Sequence, residues 1–320
     1  MMTRSSIAPV PPGTLDLTGP AVRRRRTLQR AATTVLESAG FEECIPPTFE
    51  YDEVFLRAGG PEIAERLLRF PDHDGRLLAL RYDFTAAVAR VAATSFADVA
   101  PPLRLCYSGK VYRQEPDRVG RPREILQVGA EMLGMAGAAS DVELIRLTLT
   151  LLAALAPADY QVNIGHVGVL APGFAALPPE RRSEVRRWVD RKDRASLARH
   201  LAGLDSPARE LASLPFIIGR RDALEAALPT APAAVRPGLQ QLLALDAALT
   251  DDERKHVVYD LGEVRGLDYY TGIHFEVFVS GAGHAVGAGG RYDDLMGRFG
   301  RPMPAVGVSL DVDALAELVP

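Results

Sequence analysis

The stretch ILQVGAEM, residues 125–132, carries an amide and a carboxylate inside an otherwise apolar run. Read as a strand, it sends alternate side chains to opposite faces. Leu126, Val128, Ala130 and Met132 make one apolar face; Gln127, Gly129 and Glu131 make the other. A buried carboxylate is costly unless it is paired or hydrogen-bonded. Two readings satisfy that demand. Gln127 and Glu131 line a small-ligand pocket, with Gly129 leaving room between them, or Glu131 pairs with an arginine from a neighbouring strand.

Two further stretches offer matching chemistry. VRGLDYYTG (264–272) brings Arg265, whose planar fork suits a carboxylate, together with the rings and hydroxyls of Tyr269 and Tyr270. LRYDFTA (80–86) sets Asp83 and Thr85 where a strand gives way to a helix. Either residue can cap that helix, and capping is compatible with touching a ligand. Other chemistries find no support. The glycine cluster SGAGHAVGAGGRY (280–292) fits neither G-x-G-x-x-G nor G-x-x-x-x-G-K-[ST] and reads as a hairpin with close strand packing. His166, His256, His274 and His284 lack metal-ligand spacing, and no metal or cofactor is expected. No local Ser–His–Asp or Cys–His arrangement stands out.

The elements that would position these residues follow from periodicity. Residues 20–39 repeat apolar side chains at helical spacing (Leu28, Ala31, Ala32, Val35, Leu36, Ala39), with Pro20 near the start and Gly40 past the end. The run Arg23–Arg26 is either a nucleic-acid patch or the solvated flank of this helix. Residues 41–50 read as a strand bearing the Pro46–Pro47 pair, and 84–96 as a helix. Strands are expected over 103–113 and 124–134. Ser140 and Glu143 are spaced as a capping box ahead of a helix with Leu144, Leu147, Leu151 and Leu155 on one side. Residues 166–254 are rich in Ala, Leu, Arg and Pro and read as an inserted, mainly helical subdomain. Within it, 180–194 is expected to be a solvated helix burying Trp188, or a surface for an acidic partner. Strands return at 256–262 and 272–281.

Composition narrows the class. The chain has 320 residues, with 37 Lys and Arg against 41 Asp and Glu for a net charge of −4, which does not describe a polycation seeking nucleic acid. No stretch has the ~18 apolar residues of a membrane span, and the first residues lack a signal-peptide core. The two cysteines, Cys44 and Cys106, belong to no Cys-x-x-Cys pair. A cytoplasmic location without membrane contact is expected.

In this order, the pieces resemble the catalytic core of histidyl-tRNA synthetase, a class II synthetase. PPGTLDL (11–17) looks like its N-terminal signature, and residues 20–50 look like motif 1, the dimer element. VYRQEPDRVGRPREILQVGAEMLG looks like motif 2, with Arg113 as its arginine and Arg121 and Arg123 in its loop. RGLDYYTG is nearly the family's histidine-binding loop, and GGRYDDL with PAVGVSLDVDAL stands in the place of motif 3. The resemblance implies an α+β fold, a mixed and mainly antiparallel sheet flanked by helices. The core would comprise 1–165 and 255–320, with 166–254 inserted and no anticodon-binding domain. It also implies a histidine pocket. Asp83, Thr85 and Gln127 would receive the α-ammonium and Arg265 the carboxylate. Glu131 and Tyr270 would hold the imidazole, Tyr269 would belong to the same pocket, and the histidine would lie in the gap over Gly129.

The departures point to a different role. Where motif 3 of the synthetases ends in Gly-Leu-Glu-Arg, this chain has Asp311-Val312-Asp313-Ala314. The ATP-clamping arginine falls on Ala314, and Asp311 adds negative charge. Losing such a preorganised cation is worth ~10²–10³ in rate by analogy with oxyanion donors. Asp83 also stands where the synthetases usually have Glu. A synthetase core with its amino-acid pocket but without its ATP arginine resembles the ATP phosphoribosyltransferase regulatory subunits. That resemblance implies a non-catalytic subunit of histidine biosynthesis that binds L-histidine for feedback. It would join a short-form catalytic subunit in a hetero-octamer, self-associate as a homodimer through motif 1, and bind no tRNA. Arg113, Arg121 and Arg123 would then be relics of a nucleotide site or interface contacts. The alternative is a minimal histidine-activating ligase that forms the adenylate without a tRNA-binding domain.

Overall fold

The computed structural model describes residues 10–59, 61–114, 122–156, 158–264 and 270–319. Helix α1 (Gly19–Ser38) begins with Pro20 in its first turn and buries Leu28, Ala32 and Leu36. The expected strand over 41–50 divides in two. Strand β1 (Glu42–Glu43) joins a large sheet, while β2 (Phe49–Tyr51) joins a small one. Pro46 and Pro47 lie between them and have no N–H to give to a ladder. Helices α2 (Asp52–Gly59) and α3 (Pro61–Ala64) follow, then β3 (Arg69–Pro71) and β4 (Leu77–Leu80), which complete the small sheet in the order β2-β4-β3.

Helix α4 (Phe84–Thr94) leads to the long hairpin of β5 (Leu103–Tyr112) and β6 (Glu124–Leu133), and then to α5 (Ala138–Leu155). Leu144, Leu147, Leu151 and Leu155 are all buried on α5, as their spacing requires. The capping box does not form. Gly137 occupies the cap, and Ser140 Oγ donates to the carbonyls of Met135 and Gly137. Arg291 draws on the same turn, its guanidinium donating to Asp141, Ser140 Oγ and the Gly137 carbonyl, while Glu143 pairs with Arg104.

Strand β7 (Tyr160–His166) opens a helical run of α6 (Val167–Ala175), α7 (Pro179–Asp190) and α8 (Arg194–Leu201). After it come the short strand β8 (Ile218–Gly219), α9 (Arg221–Ala227), α10 (Arg236–Ala248) and α11 (Asp251–Arg254). Helix α7 buries Val185 and Val189. Trp188 is only half-buried: it packs against the edge of the core and its ring stacks on the exposed His200 of α8, 4.5 Å away between centroids. The chain ends through β9 (Val257–Asp260), β10 (Ile273–Val279), β11 (Gly287–Arg291), α12 (Leu295–Arg298), β12 (Ala305–Asp311) and α13 (Val312–Leu318).

Among the described residues, the large sheet has nine strands in the order β1-β5-β6-β12-β11-β10-β7-β9-β8. Its ladders are antiparallel except β1 with β5 and β7 with β9. One face carries Leu126, Val128, Ala130 and Met132, together with Val306, Val308 and Leu310. It packs under α1 and α5 in a single apolar core. Register fixes the other face, because residues directly opposite share a side. Tyr107, Gly129 and Ser309 form one row; Leu105, Glu131, Gly307, Gly290 and His274 form the next. Among the described residues, no helix is long and apolar enough to cross a membrane.

Candidate functional site

Glu131 is the centre of that second face, and it is only 1% exposed. Its Oε1 accepts from Thr85 Oγ1 (2.8 Å) and from the Tyr107 hydroxyl (3.2 Å); its Oε2 accepts from the Tyr292 hydroxyl in a short contact. Burial raises the carboxyl to about 8, and the Asp83 charge adds to the rise. The three hydroxyl donors oppose it without cancelling it. Gly307, opposite on β12, makes the arrangement sterically possible. A Cβ there would stand 1.6 Å from Glu131 Oε2.

Gly129 has a different purpose from the one its sequence pattern suggests. The space above it is filled by Tyr107, its cross-strand partner: a Cβ on Gly129 would lie 2.4 Å from the Tyr107 hydroxyl. The missing side chain lets this tyrosine lie flat over β6 and reach Glu131. Tyr107 is held from the other side. Its ring stacks on Phe84 at 4.2 Å and 3°, and Arg81 covers Phe84 at 4.0 Å. The Arg81 guanidinium is buried and donates to the carbonyls of Pro46, Pro47 and Lys110. A chain of contacts thus runs from the Pro46–Pro47 turn to the carboxylate.

The structure brings together most of the expected side chains that it describes. Thr85 touches Glu131 directly. Asp83 caps α4, accepting from Ala86 N at 3.0 Å, and burial raises its carboxyl while Arg113 lowers it. Gln127, 9% exposed, shares the Glu131 face. Tyr270 lies over Gly290 and parallel to His274, with centroids 5.8 Å apart. Its hydroxyl is raised by burial, then by the field of Glu131. Arg113 sits at the rim, 5.1 Å over the Tyr82 ring. Arg123 lies one strand away. It donates to Gln114 Oε1, and its backbone N–H donates to the Gly13 carbonyl. Arg121, Arg265 and Tyr269 lie outside the described residues.

Arg81, Tyr107 and Tyr292 carry the site without having been singled out in the sequence, and His274, weighed there only as a metal ligand, stands in the same row as Glu131. Tyr107 was findable in principle, since it continues the front-facing alternation of Leu103 and Leu105 in β5. Tyr292 gives no such sign: it follows β11 directly and reaches Glu131 only because β12 lies between β11 and β6. His274 is 2% exposed, and burial lowers it to about 4, so it is neutral. Its Nε2 faces the Glu263 carbonyl at 3.3 Å.

At the far end of β12 the departures noted in motif 3 take structural form. Asp311 caps α13, its Oδ1 accepting from Ala314 N at 2.9 Å. Asp313 Oδ2 accepts from Leu126 N at 2.7 Å, and the same carboxylate pairs with Arg25 of α1 at 2.7 Å. The Arg23–Arg26 run is therefore neither uniformly solvated nor one continuous patch.

Comparison with known proteins agrees with this architecture. The family profile for histidyl-tRNA synthetase matches residues 13–315. The ATP phosphoribosyltransferase regulatory subunit of Moorella thermoacetica is 40% identical over 319 residues, covering 96% of this chain and 80% of its own. That of Thiobacillus denitrificans is 36% identical, covering 96% of both. Among solved structures, an ATP phosphoribosyltransferase regulatory subunit/histidyl-tRNA synthetase from Bacillus halodurans is similar with a TM-score of 0.87. It is 30% identical, over 97% of this chain and 83% of that one. A histidine–tRNA ligase subunit from Alicyclobacillus acidocaldarius gives 0.83 at 29% identity, over 99% and 98%.

Proposed function

Because this chain belongs to the ATP phosphoribosyltransferase regulatory subunits, a family built on the histidyl-tRNA synthetase fold, we propose that it regulates that enzyme as a histidine sensor. In this reading it carries no active site of its own. It joins a short-form catalytic subunit, a glycosyltransferase that condenses ATP with phosphoribosyl pyrophosphate, in a cytoplasmic hetero-octamer. Two copies pair through the motif 1 region, where Ile45 and Phe49 are exposed. Free histidine lies against Glu131, with Tyr270 and Tyr269 at its imidazole. Asp83, Thr85 and Gln127 take its ammonium, and Arg265 takes its carboxylate. Arg113, Arg121 and Arg123 serve as relics or partner contacts. The division into a core of 1–165 and 255–320 with an inserted helical subdomain at 166–254 belongs to the same reading, as does the lack of tRNA binding.

The observation that most supports a regulatory rather than adenylate-forming role is at α13. The position of the synthetases' ATP arginine is Ala314, and the neighbouring acid Asp311 is committed to capping the helix. A nucleotide phosphate would meet two carboxylates, Asp311 and Asp313, where it needs a cation. Feedback requires only that histidine bind one arrangement of the complex better, by ~1–3 kcal/mol.

The test is co-purification with a short-form catalytic subunit, followed by a phosphoribosyltransferase assay with and without this chain and with added histidine. Activity should require the chain and fall with histidine, and Arg265→Ala should abolish the histidine response. Histidine-dependent exchange of pyrophosphate into ATP by this chain alone would overturn the reading in favour of a ligase.

A further inference from the structure

A cavity lies beyond the end of β12, apart from the Glu131 cluster. Its volume is about 190 Å³, and Asp83, Thr85, Gln127, Glu131 and Tyr270 are not among its walls. The segment 13–17, α1, the loop end of the β5–β6 hairpin, His284 and α13 line it. The charges on its walls are unequally committed. Arg25 is paired with Asp313 and Lys110 with Glu124. Arg24 also lines the cavity, and its buried Nε has no hydrogen-bond partner among the described residues. The same walls carry Glu317, which is exposed, and Asp311, whose one bonded oxygen accepts from Ala314 N of α13. Burial raises the Asp311 carboxyl, so a cation brought to it would be favoured.

A guanidinium with an unsatisfied buried N–H calls for an anionic acceptor, and carboxylate suits its fork. A polyanion does not suit this cavity. Among the described residues Glu124, Asp311, Asp313 and Glu317 share the walls, and Arg25 and Lys110 are already taken by two of them. A ligand bearing both signs answers both demands. The volume is well below the ~300–1,000 Å³ of pockets for drug-sized ligands. The remaining surface includes Leu15, Leu17, Pro122 and Ala314. We infer that this cavity is a second, separate binding site for a small aliphatic α-amino acid. Its carboxylate pairs with Arg24, its ammonium faces Asp311, and its side chain lies on the apolar wall.

The cavity is independent of the histidine pocket, and one experiment separates them. L-valine, L-proline and L-histidine are titrated by calorimetry into the full chain, into Glu131→Gln, and into two cavity variants. Arg24→Gln removes the cation; Ala314→Leu fills the space without changing charge. Valine or proline should bind to the wild type and to Glu131→Gln with similar affinity, and at least tenfold more weakly to both cavity variants. Histidine binding lost only in Glu131→Gln reports on the first pocket alone. No uptake of valine or proline by the wild type, or uptake that survives either folded cavity variant, overturns the second site. Far-UV circular dichroism identifies a variant that has not folded, and the other then carries the test.

Discussion

Glu131 is the residue on which the site turns. Three hydroxyl donors crowd a carboxyl whose burial holds it protonated up to about pH 8. The sign of its effect on stability follows. Between the ordinary value of 4.5 and about 8, the folded chain keeps a proton that the unfolded chain has released. Its contribution to stability is therefore greatest below pH 4.5 and falls as pH rises through that window. One retained proton is worth up to ~1.4 kcal/mol for each whole step of pH, so the trend is measurable by thermal unfolding. Glu131→Gln resembles the protonated acid and should flatten the decline between about pH 5 and 8, while weakening histidine binding at least tenfold. A decline as steep as in the wild type would mean that Glu131 ionises normally. At this scale, alternation was enough to place Gln127 and Glu131 on one polar face. It could not say that Tyr107 covers Gly129 or that Tyr292 completes the ring, because both depend on which strands become neighbours.

The helices and strands were legible wherever their periodicity was long. The apolar stripe of α1, the leucine stripe of α5 and the β5–β6 hairpin lie close to where their patterns put them. Legibility failed where a partner distant in sequence overrode a local pattern. Ser140 had capping-box spacing, yet Arg291, some 150 residues away, organises that turn instead. Residues 41–50 looked like one strand, yet two prolines split it between sheets. Helix α13 is tied down in a similarly non-local way, through Asp313 to both Arg25 and the Leu126 N–H. Asp313→Ala leaves a backbone donor without its acceptor and a guanidinium without its anion. The expected cost is ~2–4 kcal/mol in urea unfolding. An effect within ~0.5 kcal/mol would show that the contact contributes nothing beyond an ordinary surface position. Asp313→Asn, which keeps an acceptor for Leu126, should recover part of the loss.

For the whole molecule, four large exposed apolar groups, Ile45, Phe49, Phe70 and Leu77, belong to the Pro46–Pro47 segment and the small sheet. Ile45 is 80% exposed and Phe49 51%, and Phe49 meets Phe70 edge-on at 5.9 Å. Large exposed apolar groups gathered in this way mark association surfaces. If two copies meet there, the double variant Ile45→Glu, Phe49→Glu should sediment as a monomer with an unchanged circular dichroism spectrum. A dimer that persists would move the interface elsewhere. The two margins of the large sheet point in a complementary direction. Strand β1 is two exposed glutamates, and β8 is only Ile218 and Gly219. Neither outermost strand itself gives an incoming chain more than a dipeptide of main chain to zip onto, and β1 repels with like charge. Fibre-like elongation is thereby disfavoured at these two strands, which steers association of the large sheet toward side-chain surfaces that can close on themselves and stop.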